Sequence, residues 1–220
     1  MGDSVKLTYR LLQRSDLEVL KEMHKDLFPV SYEDAFFEKF VNGSDDVSRL
    51  SWGKCYDQVI DKVNDGGEEY SLFWGWGAVD GNKLIGFATF KIVMAKDWKE
   101  ADLMPAKKFD PSKPDQTLLY ILTVGVSEDV IYRRHGIGTS LIRTAIKDAK
   151  SRPSCQGVCL HVLATNKAAI ALYKKLSFKR VWTFLFYYPN IPNDDPGDAC
   201  LYVRYLNSRS PLSFCKSLCS

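Results

Sequence analysis

The stretch from Arg133 to Lys150, RRHGIGTSLIRTAIKDAK, places two glycines one residue apart, between a basic cluster and a helical pattern. The first turn of a helix has backbone N–H groups without intrahelical partners and carries a partial positive charge. Gly136 and Gly138 let a phosphate approach that backbone, and Arg134 adds positive charge beside it. The spacing therefore predicts a binding site for a diphosphate.

The same stretch differs from two common nucleotide-binding motifs. A P-loop requires Gly-Lys followed by Ser or Thr, which is absent from this stretch. A dinucleotide-binding fingerprint would require glycine at the position of Leu141. The pattern that remains is R/Q-x-x-G-x-G/A, which the residues from Arg133 to Gly138 satisfy.

The neighbouring sequence predicts the strands and helices that must hold this turn. TLLYILTVGVS, before it, is apolar on both faces, as in a central strand, and GVCLHVLA follows as a second strand. NKAAIALYKKL predicts another helix, and FKRVWTFLFYY and ACLYVRYL predict two closing strands. With the strands and helices nearer the N-terminus, this order predicts an α/β fold whose mixed sheet has a central parallel pair.

Composition limits the functional classes. The formal net charge is +3 over 220 residues, so bulk electrostatics give no reason to expect a nucleic-acid partner. Cys155 and Cys159 stand near His161, but a second pair of zinc ligands is missing, so free thiols in a reducing compartment and no metal are expected. No signal peptide or membrane-spanning run is visible, and the chain itself is expected to be soluble.

The glycine turn in this setting resembles the acetyl-CoA loop of the GNAT superfamily, the GCN5-related N-acetyltransferases. NKAAIALYKKLSF is similar to a second signature of that superfamily, with Ser177 in place of the usual glycine at a helix C-cap. The resemblance implies the GNAT fold, a mixed central sheet of about seven strands with helices on both faces, over residues 1–207. Residues 42–67 would form an insertion, 96–116 an extended hairpin or loop, and 208–220 a flexible tail.

Within the superfamily, the sequence most resembles protein N-terminal acetyltransferases of the membrane-associated NatF type. The resemblance implies transfer of acetyl from the co-substrate acetyl-CoA to N-termini that keep their methionine: Met-Lys, Met-Leu, Met-Val and Met-Ala. The expected partners are N-termini of cytosol-facing membrane proteins, and the expected location is the cytosolic side of the Golgi or plasma membrane. Peripheral attachment would use a C-terminal extension absent from this sequence, and a monomer is expected.

The resemblance also implies that Tyr120 and His161 deprotonate the incoming amine. They stand on adjacent parallel strands, so both side chains can reach one cleft at the carboxyl ends. A histidine pKa near ~6.5 suits general-base work, whereas a tyrosine near ~10 serves better as a relay through water. Packing within the core is the alternative for both residues.

Further site residues follow from the same resemblance. Those expected to hold acetyl-CoA are Val124, Gly125, Val126, Arg134, His135, Gly136, Ile137, Gly138, Thr139, Asn166 and Tyr173. Those expected to bind the peptide are Phe28, Pro29, Tyr32, Leu122 and Tyr188. Packing is the alternative for Tyr173.

Two other functions remain open from the sequence. One is acetylation of a lysine, as in histones, or of a small amine. The other is a non-catalytic module that binds acetyl-CoA, which fits less well because Tyr120 and His161 are both present.

Overall fold

Seven strands and four α-helices make up the part of the chain that the computed structural model describes, which is residues 7–30, 32–49, 72–104, 116–132, 134–189 and 191–206. The strands are β1 (Leu7–Leu11), β2 (Phe73–Asp80), β3 (Lys83–Met94), β4 (Thr117–Val126), β5 (Cys155–Leu163), β6 (Lys179–Phe184) and β7 (Ala199–Tyr205). The helices are α1 (Leu17–Leu27), α2 (Asp34–Arg49), α3 (Ile137–Lys150) and α4 (Lys167–Lys175).

The strands form one mixed sheet in the order β1-β2-β3-β4-β5-β7-β6. The central neighbours β4 and β5 are parallel, and the other five neighbouring pairs are antiparallel. Because parallel neighbours need a crossover connection, α3 links β4 to β5. The predicted mixed sheet with a central parallel pair is confirmed.

Helices cover both faces of the sheet, as predicted. On one face, Leu20 of α1 and Phe40 of α2 pack with Phe87 of β3 in one buried cluster. On the other face, Leu141 of α3 and Tyr173 of α4 belong to a second and larger cluster. Among the described residues, no helix combines the length and the apolar composition needed to cross a bilayer.

The expected insertion and the expected loop both begin with helical turns, although their polar sequences are typical of irregular structure. Helix α2 continues to Arg49, so the first part of the 42–67 segment is helical, and residues 50–67 lie outside the described residues. The 96–116 segment begins with two short 3₁₀ turns, Ala95–Asp97 and Ala101–Leu103, and residues 105–115 lie outside the described part. The expected tail at 208–220 also lies outside it.

Strand β6 is shorter than its aromatic sequence predicts. The run FKRVWTFLFYY was expected to be extended throughout, but β6 ends at Phe184. Phe186 then has a left-handed φ of 53°, and its backbone N–H donates to the Asp198 carboxylate at 3.0 Å. This local hydrogen bond replaces strand pairing, and it turns the chain so that Tyr187 and Tyr188 return toward the sheet.

Helix α4 ends in a Schellman motif whose left-handed residue is Ser177. The Phe178 N–H donates to the Tyr173 carbonyl at 3.0 Å, and the Ser177 N–H donates to the Lys174 carbonyl at 3.0 Å. Ser177 has a φ of 64°, a conformation that glycine adopts at no steric cost and that a residue with a Cβ adopts at about 1–2 kcal/mol. The serine at this position is therefore a local source of strain.

We predict that Ser177→Gly stabilises the protein by about 1 kcal/mol, because it relieves the strain at slightly greater entropic cost in the unfolded chain. Urea unfolding followed by circular dichroism measures the change. Ser177→Ala is the matched control, since it keeps the Cβ and should bring no gain. A Gly variant no more stable than the Ala variant would contradict the prediction.

His24 of α1 is buried in an aromatic cluster next to the site described below. Its ring stacks on Phe28 with centroids 4.4 Å apart and meets Tyr32 and Phe37 edge-on, each at 5.2 Å. Its exposed fraction is 2%, and Nε2 has no hydrogen-bond partner among the described residues. Burial lowers the pKa of His24 to about 4, because the imidazolium cannot be hydrated there.

We predict that His24 makes the protein sensitive to acid. A histidine with a pKa lowered from about 6.5 in the unfolded chain to about 4 in the folded protein gives stability that is complete above pH ~6.5 and is lost as the pH falls toward ~4. Between pH 7 and pH 5, the free energy of unfolding should fall by about 1–2 kcal/mol through this residue.

Urea unfolding of the wild type and of His24→Phe at both pH values measures this effect. The phenylalanine variant should lose less stability on acidification, whatever its stability at pH 7. An equal loss in both proteins would show that His24 is not the responsible group.

Candidate active site

The two central strands separate partway along their length. β4 pairs with β5 from Thr117 to Tyr120, opposite Cys155 to Cys159, and the pairing stops there although both strands continue. The backbone groups of 121–126 that face β5 therefore lack the ladder that a complete sheet would provide. Separated parallel strands expose N–H and C=O groups to a ligand, which must then satisfy them.

A β-bulge at Leu122 accompanies this separation. Thr123 pairs with Thr89 of β3, whereas Ile121 pairs with the next residue, Phe90, so Leu122 is an extra residue in β4. The hydroxyls of Thr89 and Thr123 form a buried hydrogen bond of 2.6 Å that fixes this register. Bulges of this kind redirect side chains and are common beside active sites.

The bulge changes which side chains of β4 face α1. Leu122 packs with the α1–α2 cluster. Val124 and Val126, which regular alternation would place on the same face as Leu122, pack with the opposite cluster. Gly125 now faces α1, and a Cβ there would lie 2.8 Å from both Leu27 and the Phe87 ring. The glycine is required because helix α1 and Phe87 approach the strand closely, and the register shift itself lies at Leu122.

A cavity of about 250 Å³ lies where β4 and β5 separate. The residues that line it are His24, Leu27, Phe28, Pro29, Val30, Tyr32, Ile121, Leu122, Thr123, Val124, Gly125, Val126, Leu160, His161, Val162, Leu163, Asn166, Ala169, Tyr173, Tyr188 and Ile191. Eleven of the residues expected from the sequence are among them: Phe28, Pro29, Tyr32, Leu122, Val124, Gly125, Val126, His161, Asn166, Tyr173 and Tyr188.

Tyr120 and His161 are in direct contact. The Tyr120 hydroxyl lies 2.6 Å from Nδ1 of His161, a hydrogen bond that joins the last paired position of β4 to β5. Tyr187 stacks on the His161 ring from the other side, with centroids 4.6 Å apart and an interplanar angle of 13°. His161 itself lines the cavity, so this pair can exchange a proton with a group bound there.

The pKa values of Tyr120 and His161 differ from those of the free side chains. Burial lowers the pKa of His161 to about 4, so the expectation of a value near 6.5 is wrong. Burial, together with the neighbouring Tyr187, raises the pKa of Tyr120 well above its usual range. At neutral pH both groups are therefore uncharged, with the hydroxyl protonated and the imidazole able to accept a proton.

The glycine turn lies beyond the end of β4, next to the cavity. Gly136 has a left-handed φ of 73° and precedes α3, whose first hydrogen bond runs from the Ser140 N–H to the Gly136 carbonyl at 2.9 Å. The N–H groups of residues 137–139 come before that bond, so they lack intrahelical partners. A Cβ at Gly138 would lie 3.8 Å from Val126 in the cavity wall, which shows how near the turn is to the cavity.

The other residues expected in this turn are not in the cavity wall. They are Arg134, His135, Gly136, Ile137, Gly138 and Thr139. Ile137 is buried and faces the core, so only its backbone can meet a ligand, and Arg134 has a left-handed φ of 63°. Arg133 lies outside the described residues.

Helix α4 contributes Asn166 and Tyr173 to the cavity. The Asn166 side chain caps the helix, because its oxygen accepts a hydrogen bond from the Ala169 N–H at 3.0 Å. Its amide NH₂ group stays available to donate toward the cavity. Burial raises the pKa of Tyr173 to about 12, so this hydroxyl is protonated at neutral pH.

Aromatic residues form two opposing walls around the cavity mouth. The segment after α1 supplies Phe28, Pro29 and Tyr32, and the segment after β6 supplies Tyr188. Burial raises the pKa of Tyr188. These residues give the cavity apolar ring surfaces together with the hydroxyl groups of Tyr32 and Tyr188.

Several residues of the site were not identified from the sequence. His24 and Ile191 line the cavity, and Glu100 lies 4.0 Å from Nε2 of His161. His24 has the position of a core residue on an amphipathic helix, and Glu100 stands in a polar segment that is typical of a loop. No local pattern separates such residues from ordinary packing or surface charge.

The fold and this site can be compared with known proteins. Residues 18–178 match the acetyltransferase (GNAT) family. The chain is 40% identical over 213 residues to histone acetyltransferase MCC1 of Arabidopsis thaliana, a match that covers 93% of this chain and 72% of that protein. It is 26% identical over 205 residues to N-alpha-acetyltransferase 60 of Xenopus tropicalis, covering 92% of this chain and 71% of that protein.

Among solved structures, the crystal structure of Arabidopsis thaliana NAA60 in complex with acetyl-CoA is similar, with a TM-score of 0.70 and 36% sequence identity. That similarity covers 92% of this chain and 99% of the other. Because the family match spans well over half of the sequence and extends through the strands and helices that build the cavity, the chain belongs to the GNAT family of acetyl-CoA-dependent N-acetyltransferases.

Proposed function

We propose that this enzyme is a protein N-alpha-acetyltransferase that transfers the acetyl group of acetyl-CoA to the N-terminal amine of proteins. The observation that carries the proposal is the cavity between the separated strands, which has His161 in its wall and tyrosines at its mouth. The similarity to N-alpha-acetyltransferase 60 and to the NAA60 crystal structure supports it.

Acetyl-CoA would lie between β4 and β5 with its diphosphate at the start of α3. The N–H groups of Ile137, Gly138 and Thr139 and the charge of Arg134 suit that anion, because they join a helix N-terminus to a nearby cation. The unpaired backbone of residues 124–126 would receive the acetyl carbonyl and the pantetheine amides. A backbone N–H aimed at the carbonyl oxygen stabilises the negative charge that develops there.

The pair Tyr120–His161 would accept the proton of the attacking amine. Tyr120 would donate its hydroxyl proton to Nδ1 of His161 as its oxygen accepts a proton from the amine, directly or through one water. His161 then holds the positive charge. The low pKa of His161 keeps this acceptor unprotonated throughout the neutral range.

An α-amine suits such a weak base better than a lysine does. At pH 7.4, roughly a fifth to a third of a free N-terminus is neutral, against ~0.1% of a lysine side chain. The rings of Phe28, Pro29, Tyr32 and Tyr188 line the cavity and would flank the entering substrate, which would favour a chain end over a passing chain. Their apolar rings suit a retained methionine followed by Lys, Leu, Val or Ala.

Lysine acetylation is a second candidate, supported by one specific observation. The relative with 40% identity is named a histone acetyltransferase. Both activities need the same acetyl-CoA site and the same base, so they differ only in which amine enters the mouth.

We predict that the protein acetylates a peptide starting Met-Lys on its α-nitrogen. The matched control is the same peptide with a blocked N-terminus, which leaves the lysine as the acceptor and should react about 200–300-fold more slowly because of the smaller neutral fraction. Mass spectrometry with fragment assignment locates the acetyl group.

Peptides starting Met-Leu, Met-Val, Met-Ala and Ser-Ala extend this test. Faster acetylation of the methionine peptides is expected, because their side chain can fill the apolar mouth. Acetyl only on lysine would contradict the proposed function in favour of the second candidate, and acetyl-CoA binding without transfer would exclude both.

We predict that Tyr120→Phe and His161→Ala each lower kcat by about a hundredfold while acetyl-CoA affinity stays within about twofold. In the wild type, kcat/KM should rise with pH through the amine pKa near ~8 and show no step near ~6.5, since His161 has a pKa of about 4. Steady-state rates from pH 6 to pH 9 and calorimetric binding measure both effects.

Tyr9→Phe is the control, because Tyr9 lies on β1, an edge strand that is three positions away from β4 in the sheet. It should leave kcat unchanged. A change in kcat/KM near pH 6.5 that disappears in His161→Ala would contradict the low pKa of His161. Unaltered kcat in both Tyr120→Phe and His161→Ala would contradict their role as the general base.

A further inference from the structure

The segment from Ala95 to Met104 covers the sheet near His161. Ala95, Ala101 and Met104 are buried against Leu118 of β4 and Leu201 of β7 in a third apolar cluster. Helices α1 and α2 pack elsewhere, against Phe87 and its neighbours. The two 3₁₀ turns of this segment thus form the roof over the paired end of β4 and β5, where Tyr120 and His161 meet.

This roof brings one carboxylate to the histidine. Oε1 of Glu100 lies 4.0 Å from Nε2 of His161, and the exposed fractions of the two side chains are 17% and 2%. Nε2 has no hydrogen-bond partner among the described residues. Glu100 also acts on the surroundings, because its charge raises the pKa of Tyr187, after the larger effect of burial.

The hydrogen bond at the other nitrogen determines where the imidazole proton resides. Tyr120 keeps its hydroxyl proton, because burial raises its pKa, so this hydroxyl can act as the donor to Nδ1. A neutral imidazole that accepts at Nδ1 carries its own proton on Nε2. Oε1 of Glu100 lies 4.0 Å from this nitrogen, and a carboxylate close to a histidine N–H stabilises the imidazolium formed when the histidine takes up a proton.

We propose that Glu100 is a positioning residue for His161, which holds the imidazole with its proton on Nε2 and stabilises the positive charge that the ring acquires during acetyl transfer. The proposal rests on the proposed transfer to an amine through Tyr120 and His161, and it adds a third member to that pair. Nothing in the residues that the resemblance implied pointed to this glutamate.

Acetyl transfer forms one bond, breaks another and moves one proton away from the amine. The amine nitrogen forms the C–N bond as the C–S bond of the thioester breaks. The amine proton passes to the Tyr120 oxygen, the Tyr120 hydroxyl proton passes to Nδ1, and the Nε2 proton moves into hydrogen-bonding contact with Glu100. The imidazolium then releases its extra proton, which reaches the leaving thiolate through water. This restores the pair and gives the thiol product.

The charged and titratable groups around Tyr120 and His161 come from five parts of the fold. Tyr120 lies on β4, Cys159 on β5, Tyr187 follows β6, and Glu100 lies on the roof. Lys91 of β3 stands 5.7 Å from the centroid of the Tyr120 ring. Among these groups, Glu100 is the carboxylate, and the cysteine and tyrosines are uncharged at neutral pH because burial raises their pKa values.

The test compares Glu100→Gln with Asp102→Asn, which removes an exposed carboxylate from the 3₁₀ turn that Glu100 caps. Glu100→Gln should lower kcat about tenfold and leave KM for peptide and for acetyl-CoA within about twofold, because the base is weakened while binding is untouched. Asp102→Asn should leave all three constants within about twofold. Equal losses in both variants, or a rise of KM alone for Glu100→Gln, would overturn the proposal.

A second measurement reports on the histidine directly. The chain has three histidines, so their NMR signals can be assigned by substitution. On acidification from pH 7, the His161 signal should begin to shift at a pH at least about half a unit lower in Glu100→Gln than in the wild type, because loss of the nearby anion disfavours the imidazolium. An identical titration in both proteins would overturn the proposal even if kcat fell.

These outcomes are separate from those of the proposed function. Rates are compared on whichever amine the wild type acetylates, so a wild type that prefers lysine contradicts the N-terminal assignment and still tests Glu100. A wild type that fails on every amine contradicts the proposed function, and the NMR titration then decides the role of Glu100 alone.

Discussion

The organisation of this enzyme depends on the interruption of one hydrogen-bond ladder. β4 and β5 pair from Thr117 to Tyr120 and then separate, which leaves polar backbone groups in the middle of an otherwise continuous sheet. An unpaired buried amide costs free energy comparable to a lost hydrogen bond, so the gap is unfavourable unless a ligand fills it. The paired half holds Tyr120 and His161 together, and the open half forms the cavity.

Burial has opposite consequences for the two kinds of group at this site. Around Tyr120 and His161 it keeps both side chains uncharged throughout the neutral pH range. At the start of α3 the polar groups remain near the surface, where backbone N–H groups and Arg134 can meet an anion. The buried pair is uncharged, and the start of α3 is exposed and positively polarised. This arrangement suits a long co-substrate with an uncharged reactive end and a charged end.

Much of this arrangement could be predicted from the sequence. The glycine turn, the helix after it and the two apolar runs around it depend on local spacing, and local spacing determines secondary structure directly. The pairing of Tyr120 with His161 came from the resemblance to the GNAT superfamily, and it agrees with parallel strands that place their carboxyl ends together. Tyr120 is the last residue of β4 that pairs with β5, and its hydroxyl forms a hydrogen bond with His161, two residues beyond its pairing partner Cys159.

The remaining parts depend on contacts between distant segments. The aromatic run through Tyr188 favours a strand by composition, but the carboxylate of Asp198 captures the Phe186 N–H and ends β6 at Phe184. Glu100 is one of many charges in a polar segment, and only the packing of Ala101 and Met104 brings it near His161. The cavity position of His24 likewise depends on how α1 lies against Phe87.

The extra residue at Leu122 has a consequence for how such a site can change over time. Because the chain turns over at that point, the stretch from Val124 to Val126 offers the cavity main-chain atoms between side chains that are committed to the two cores. In the proposed mode of acetyl-CoA binding, recognition of the acetyl group would therefore depend on the number of residues along the strand and little on their chemical identity. Replacement of one valine by another aliphatic residue can drift without altering that recognition, whereas the loss or gain of a single codon would rotate every following amide out of place.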